Sequence, residues 1–302
     1  MDRRFFLKST VGLGGLVAGV ISAQDAFSNP NPQAYDLVAV KGGESDVMLD
    51  KALQSMGGIA AFVKKGQRVV IKPNIGWDAS PERAANTNPK LIKRLVEHCV
   101  TAGASEILVF DNTCDNWQNC YKNSGIEKAV KDAGGKMVPA NSMGDYKDVT
   151  IPKGKRLKTA KVHEQIINAD VFINVPVLKN HSGAKLTMSM KNLMGIVWDR
   201  GYWHSNDLHQ CIADFASWKK PTLNIVDAYN VMKKNGPKGV SVSDVANMKY
   251  LMLSKDMVAI DAAAAKVFGY TNVDDIAYIK IAHQMGIGSK NLDKLSINRI
   301  NL

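Results

Sequence analysis

The stretch from Val175 to Gly195 gathers side chains that can do acid–base or ligand chemistry. It contains Lys179, His181 and Lys191. A histidine directly after a buried strand can ligate a metal through its neutral imidazole, or it can shuttle a proton. A lysine among apolar neighbours loses its proton more readily and becomes a nucleophile or a covalent anchor. We therefore predict His181 and Lys191 as catalytic residues; the alternative is an exposed histidine and a surface lysine beside core methionines.

Polar side chains also follow other apolar runs. In open α/β sheets, ligands bind beyond the carboxyl ends of the parallel strands, so these positions are candidates for binding a cofactor or substrate. Asparagine and aspartate also form loops and helix caps, which is the alternative at each position. The predicted binding residues are Lys72, Asn74, Asp111, Lys179, Lys185 and Asp227.

Histidines in the segment "WDRGYWHSNDLHQCIADF" could complete a metal site. His204 and His209 are five positions apart, so they do not share one helical face and can meet only if the loop folds back. The predicted metal ligands are His181, His204 and His209. In the same segment Arg200 could clamp a carboxylate or phosphate. The alternative is a lid-like surface loop with packed aromatic side chains.

The elements that must position these residues follow an α/β pattern. Short apolar runs alternate with amphipathic helical windows, which predicts an α/β fold with mainly parallel sheets in two α/β halves and a ligand cleft between them. The predicted halves are residues 33–145 and 146–302, with the least regular part at 141–158. The strand candidates are "YDLVAV", "RVVIKPN", "EILVFDN", "KMVPA", "DVFINVPV", "TLNIVDA" and "KYLMLS". The helix candidates are Pro89–Thr101, Gly125–Ala133, Asp207–Trp218, Met257–Phe268 and Asp274–Met285.

Composition narrows the class of protein. The chain has 302 residues, a hydrophobic fraction of 45% and a formal net charge of +11, which is typical of a globular protein and favours anionic small molecules as partners. It carries no zinc-finger, RNA-recognition or basic-aromatic signature, so we expect no nucleic-acid partner. Cys114 and Cys120 lie in a polar loop, where they are either a local disulfide or free thiols.

The N-terminus predicts export. Arg3-Arg4-Phe5-Phe6-Leu7-Lys8 resembles the twin-arginine motif and precedes an apolar run too short to span a bilayer. We predict a signal peptide at residues 1–28, a periplasmic or extracytoplasmic location, and no stable membrane span after cleavage. An ordinary secretory signal or an uncleaved anchor is the alternative. Export in the folded state often serves proteins that acquire a cofactor in the cytoplasm, so a cofactor is expected.

Several segments resemble the family catalogued as domain of unknown function 362. The resemblance rests on "IKPNIG", "NADVFINVPVLKNHSGAKLTMSMKNLMGI", "NGPKG" and "SKDMVAIDAAAAKVFG" and covers nearly the whole chain after the signal. Some members of that family carry added ferredoxin-type modules, which this sequence lacks. The resemblance implies a family and little chemistry.

A more distant resemblance is to the nickel-pincer lactate racemase family. There a histidine is followed ten residues later by a lysine that holds the pincer nucleotide covalently, and a later histidine ligates nickel. By that spacing His181 and Lys191 take the first two places, and His204 or His209 takes the third. The chain departs from the family at "LTMSM", where a glycine-rich approach is usual, and at its early loop, where Asn86–Pro89 replaces an Arg-Pro motif. The resemblance therefore concerns the scaffold more than the cofactor.

Two functions follow from these observations. The first is an exported cofactor- or metal-dependent enzyme for redox chemistry or isomerisation of a small anionic substrate. Its cofactor is open between a transition metal, nickel or iron, and a lysine-linked nucleotide, and its expected partners include a redox partner protein. The second is a non-catalytic periplasmic accessory protein that holds a ligand or metal in the same cleft.

Overall fold

The structure is a computed structural model that describes residues 35–302. The described residues belong to one compact unit. Within them, no helix combines the length and apolar character needed to cross a bilayer. The predicted signal at residues 1–28 lies outside the described residues.

The chain alternates strands and helices along most of its length. The strands are β1 (Leu37–Lys41), β2 (Arg68–Pro73), β3 (Glu106–Val109), β4 (Lys136–Met137), β5 (Tyr146–Thr150), β6 (Thr159–His163), β7 (Val171–Val175), β8 (Val177–His181), β9 (Lys185–Thr187), β10 (Leu223–Met232), β11 (Val245–Ser254) and β12 (Ile297–Asn301). The α-helices are α1 (Ser45–Ser55), α2 (Pro89–Thr101), α3 (Trp117–Asn123), α4 (Ile126–Asp132), α5 (Glu164–Ile167), α6 (Ser189–Asn192), α7 (Gly201–Ser205), α8 (Leu208–Ala216), α9 (Met257–Phe268) and α10 (Ala277–Gln284).

A ten-stranded sheet forms the centre of the molecule. Its main path runs β12-β1-β11-β10-β7-β2-β3-β4, and β8 and β9 extend from β10. The β1–β11, β10–β11 and β8–β9 pairs are antiparallel, and the other pairs are parallel. The predicted α/β class with a mainly parallel sheet is therefore confirmed. Both predicted halves supply strands to this sheet, and their boundary at residue 145 stays a prediction.

Side chains from both faces of the sheet are buried. Along β2, Val69 and Ile71 pack into one hydrophobic cluster with α1, α2 and α4, whereas Val70 packs into the other with α8, α9 and α10. Alternate residues of a strand point to opposite faces, so a strand apolar at every position must be covered on both. The arrangement is helix layer, sheet, helix layer.

Local signals set the ends of two helices as predicted. α2 begins after Asn88, whose side chain accepts a hydrogen bond from Lys90 N (3.0 Å). α9 begins after Asp256, which accepts from Val258 N (2.7 Å) and Ala259 N (3.0 Å). Such side chains satisfy amide groups that the first helical turn leaves without partners.

The sheet forks at Pro176. Up to Val175, β7 pairs with β2, and Val175 lies opposite Pro73. After Pro176 the chain continues as β8, which pairs with β10 and β9. A cavity lies beyond the carboxyl ends of β2 and β3 and is also lined by residues of β8.

Candidate functional site

The cavity at the fork has a volume of about 940 Å³. Most of the residues predicted from strand ends line it, together with both predicted catalytic residues. They come from β2, from the segments that follow β2 and β3, from β8 and from α6, so five parts of the chain converge there. These residues are Lys72, Asn74, Asp111, Lys179, His181 and Lys191.

Lys72 and Asp111 form a buried ion pair at the base of the cavity. Lys72 Nζ lies 3.0 Å from Asp111 Oδ1, and the two side chains are only 1% and 3% exposed. The same ammonium donates to Pro73 O (2.7 Å) and Asn192 Oδ1 (2.9 Å), so two of its N–H groups have hydrogen-bond acceptors and the contact with Asp111 is one of charge. Burial lowers the pKa of Lys72, and the charge of Asp111 opposes that shift.

Lys179 is the second lysine with protein acceptors. Its ammonium donates to Asn74 Oδ1 (3.1 Å) and to Ala85 O, which leaves one N–H group for a ligand. Burial lowers the pKa of Lys179 to about 7, and the nearby positive charge of Lys191 adds to the shift. The amine is thus poised to change charge close to neutral pH.

Lys191 differs from Lys72 and Lys179 in its hydrogen bonding. It is half-buried and faces the cavity from α6, and among the described residues its Nζ has no hydrogen-bond or ion-pair partner. Burial lowers the pKa of Lys191 to about 8; the charges of Arg200 and Lys72 lower it further, and Cys114 and Asp111 oppose them. A substantial fraction of this amine is neutral near physiological pH, which suits a base or a nucleophile.

His181 is held in one tautomer. Its Nδ1 accepts hydrogen bonds from Gly183 N and Ala184 N, both at 3.1 Å. Burial lowers the pKa of His181 to about 3, with Lys191 and Lys179 contributing. A neutral imidazole carries one proton, and since Nδ1 is an acceptor, that proton lies on Nε2. His181 therefore offers the cavity a hydrogen-bond donor.

This hydrogen bonding does not suit the predicted metal site. A metal-ligating histidine binds with one nitrogen and donates from the other, but His181 uses Nδ1 as an acceptor. His204 stacks on His181 at 6.4 Å between ring centroids, whereas His209 stacks on Tyr278 at 5.9 Å and does not line the cavity. Over residues 35–302 no three His, Cys, Asp or Glu side chains are arranged to hold a metal ion. The three predicted ligands are not brought together.

Two predicted binding residues also lie elsewhere. Lys185 is exposed on β9 and does not line the cavity. Asp227 lines a separate cavity of about 420 Å³, where its carboxylate accepts from Asn88 N (2.8 Å) and Tyr229 N (3.1 Å). Burial raises the pKa of Asp227 to about 6.

Arg200 connects the segment of residues 198–206 to the loop after β3. Its guanidinium donates to Asn112 O (2.7 Å), Thr113 O (2.8 Å) and Cys114 Sγ (3.5 Å), which uses three of its five N–H groups. Cys114 is exposed at the cavity, Cys120 is buried, and both are free thiols, so the local disulfide is absent.

Three site residues escaped the sequence analysis. Asn192 accepts from Lys72 Nζ and from Asn74 Nδ2 (3.1 Å), so it joins β2 to α6. Asn174, fully buried in β7, supports Asn192 at 2.9 Å. Gly195 lies against the Lys72–Asp111 pair so closely that a Cβ there would collide with both side chains. The sequence offered one signal for these residues: Asn174 lies within the apolar run "VFINV", and a buried amide needs hydrogen-bond partners.

The sequence matches a known protein family over most of its length. Residues 69–266 match the family described as Domain of unknown function (DUF362). A curated relative is a thylakoid-associated protein of Synechocystis sp., which is 26% identical over 223 residues. That match covers 69% of this chain and 65% of the relative.

Two solved structures resemble the chain at low sequence identity. The lactate racemase apoprotein from Thermoanaerobacterium thermosaccharolyticum is 13% identical with a TM-score of 0.42, covering 74% of this chain and 55% of that one. A structural-genomics protein from Thermotoga maritima is 9% identical with a TM-score of 0.45, covering 79% of this chain and 59% of that one. The chain thus spans less than two thirds of each of these two structures and of the curated relative.

Proposed function

The chain belongs to the DUF362 family, and we propose that it is an enzyme that isomerises a small anionic substrate by proton transfer in the cavity at the fork. The observation that carries this proposal is the balance of unused hydrogen-bonding groups. Four side chains have N–H groups that no protein acceptor uses: Lys191, Lys179, Arg200 and His181, the last through its Nε2–H. A ligand that satisfies them is rich in acceptor oxygens and negatively charged, such as a carboxylate.

The reaction follows from the protonation states. Neutral Lys191 removes a proton from the carbon next to the substrate's carboxyl or carbonyl group, and the amine becomes an ammonium. The Nε2–H of His181 and the free N–H of Lys179 donate to the oxygen on which negative charge develops. Lys191 then returns the proton at a neighbouring carbon, or at the same carbon after the planar intermediate has turned its other face to the amine, so no electrons leave the substrate.

Lys191 also fits one of the predicted cofactors in part. Unlike Lys72 and Lys179, it has the free amine that a covalent link to a nucleotide requires. Such a group would supply an electron sink for the same proton transfer. The residues described here do not fit a histidine-bound nickel or iron site, so no step involves a metal.

Hydrogen–deuterium exchange tests the proposal. The protein is incubated in D₂O with a panel of 2-hydroxy and 2-oxo acids, and NMR follows deuterium uptake next to the carboxyl group. The reporting position is C2 in the 2-hydroxy acids and C3 in the 2-oxo acids, whose C2 carries no hydrogen. We expect uptake by at least one acid, its loss in Lys191→Met, and its retention in Lys185→Met, the matched control because Lys185 is exposed outside the cavity. Uptake that survives Lys191→Met contradicts the assigned role.

A non-catalytic binding protein is the second candidate. It is favoured by Lys179, whose ammonium group is held in place by Asn74 Oδ1 and Ala85 O and keeps one N–H group for an anion. Calorimetric binding of a carboxylate or of phosphate without any deuterium uptake across the panel would support this candidate over the enzyme.

Export by the twin-arginine route belongs to the same proposal. The Arg3-Arg4 pair and the short apolar run after it support a periplasmic or extracytoplasmic location. Replacing both arginines with lysine is expected to leave the protein in the cytoplasm, because the translocase recognises the pair. Normal periplasmic recovery of that variant would contradict the proposal.

A further inference from the structure

The backbone that presents Lys191 is held by a carboxylate from another element. Ser189 N donates to Asp261 Oδ1 at 2.7 Å, and Met190 N donates to Asp261 Oδ2 at 3.0 Å. Asp261 lies in α9 and is fully buried. Helix α6 has only four residues, so its first amides have no partners within the helix and depend on this carboxylate.

The same segment is held from β7. Asn174 Nδ2 donates to Ser189 O at 3.0 Å, and Asn174 Oδ1 accepts from Asn192 Nδ2 at 2.9 Å. Asn174 Nδ2 also bonds Asn224 Oδ1 at 3.0 Å in the neighbouring strand β10. Polar groups of α6 on both sides of Lys191 are therefore bonded to buried side chains. Burial raises the pKa of Asp261 to about 7, so its contact with α6 is a charged one above that pH.

We propose that Asp261 is the positioning residue for Lys191: its carboxylate fixes the α6 backbone so that the free amine stays half-buried at the cavity. Asp261 does not line the cavity, so it acts through the turn and not on a ligand. A hydrogen bond to an ionised acceptor is stronger than a neutral one, and two such bonds to consecutive amides define the orientation of the turn. The catalytic meaning of this role rests on the proposed function, but the positioning itself does not.

Asp214 provides a matched control. It is also a fully buried helical aspartate, and it accepts from Arg156 N (2.7 Å) and Leu157 N (2.9 Å). The segment that it fixes contributes no residue to the cavity. Asp261→Asn and Asp214→Asn therefore remove the same kind of contact, one beneath Lys191 and one away from it.

The test is competitive labelling of lysines with acetic anhydride over a pH series, read residue by residue by mass spectrometry. In Asp261→Asn we expect the midpoint for Lys191 to rise by about one pH unit, which is about tenfold less labelling on the acidic side, because a released amine is better solvated. Removing the negative charge alone would move the midpoint down, so the sign separates repositioning from a direct charge effect. Asp214→Asn is expected to leave the midpoint unchanged.

An unchanged or lowered Lys191 midpoint in folded Asp261→Asn overturns the inference, as does an equal rise in both variants. If Asp261→Asn does not fold, hydrogen exchange of the wild-type protein decides. The amides of Ser189 and Met190 are then expected to exchange at least about tenfold more slowly than their intrinsic rates, and exchange at the intrinsic rate overturns the inference. Neither readout needs a substrate. A raised midpoint without anion binding or deuterium uptake refutes the proposed function and leaves the positioning role intact.

Discussion

The cavity has two walls with opposite hydrogen-bonding states. On the wall formed by β2 and β8, Lys72 and Lys179 are almost unexposed and bonded to protein acceptors. On the wall formed by α6, the Nζ of Lys191 has no protein acceptor among residues 35–302. Residues of one chemical type therefore have different tasks: the bonded lysines stabilise the scaffold and set the local field, and the unbonded lysine is available to react.

The strongest test of this contrast is Lys72→Met. Removing one member of a buried ion pair leaves the other charge uncompensated, so we expect a loss of about 3–5 kcal/mol in the free energy of unfolding. Urea denaturation measures it. The control is Lys238→Met, which breaks the exposed Lys238–Asp115 pair (2.8 Å) and is expected to cost less than about 1 kcal/mol. Equal losses in the two variants would refute a scaffold role for Lys72.

The second test uses the pH dependence of stability. Burial lowers the pKa of Lys179 to about 7, below its unfolded value, so the unfolded state binds more protons from about pH 7 to about pH 10. The free energy of unfolding should therefore rise with pH in this window relative to Lys179→Met, by at most about 1.4 kcal/mol per pH unit. Denaturation at several pH values measures the difference.

Lys51→Met is the control for that experiment, because Lys51 is exposed in α1. Its stability curve is expected to run parallel to that of the wild type. A Lys179→Met curve that also runs parallel would show that burial does not depress the pKa of this lysine.

The third test sharpens the contrast within one wild-type sample. Lys191 should be acetylated with a midpoint near its pKa of about 8. Lys72 is almost unexposed and paired with Asp111, and it should react at least about tenfold more slowly, because a buried amine reacts only when the structure opens locally. Peptide mass spectrometry gives both acetylation rates, and equal rates would contradict the proposed difference between Lys72 and Lys191.

The smallest expected effect is at Arg200. In Arg200→Lys the two backbone contacts to Asn112 O and Thr113 O cannot both be kept, so we expect a loss of about 1 kcal/mol and faster hydrogen exchange over residues 198–206. Arg299→Lys, on the exposed part of β12, should change neither quantity. Unchanged exchange in Arg200→Lys would mean that other contacts hold this segment.

Strand-end reasoning found one wall of the cavity and failed where strand lengths were misjudged. Lys72, Asn74 and Asp111 lie where the ends of β2 and β3 placed them. Asp227 was expected after a strand, but β10 continues to Met232, so Asp227 lies inside the strand and faces another cavity. The pattern "TLNIVDA" shows where apolar residues stop, and the antiparallel partner β11 extends the strand beyond that point.

Long-range contacts explain the rest. The bond from Ser189 to Asp261 joins residues 72 positions apart, and local propensity carries no trace of it. Helix α8 was expected from its sequence, but which neighbour the ring of His209 meets depends on the packing of α10. The hairpin of β5 and β6 was also missed, because "YKDVT" is mostly polar and gains its order from pairing.

The strands at the fork and the segment of residues 198–206 differ in how much sequence change they can tolerate. Strands β2 and β8 both pair with neighbours in the central sheet, and a one-residue insertion in either strand would turn its side chains to the opposite face. Residues 198–206 belong to no ladder of that sheet, so their exposed positions can change at little structural cost, whereas the buried Trp203 and the Arg200 contacts must stay. An engineer seeking a new ligand would therefore vary the exposed positions of this segment and keep the strands as the invariant frame.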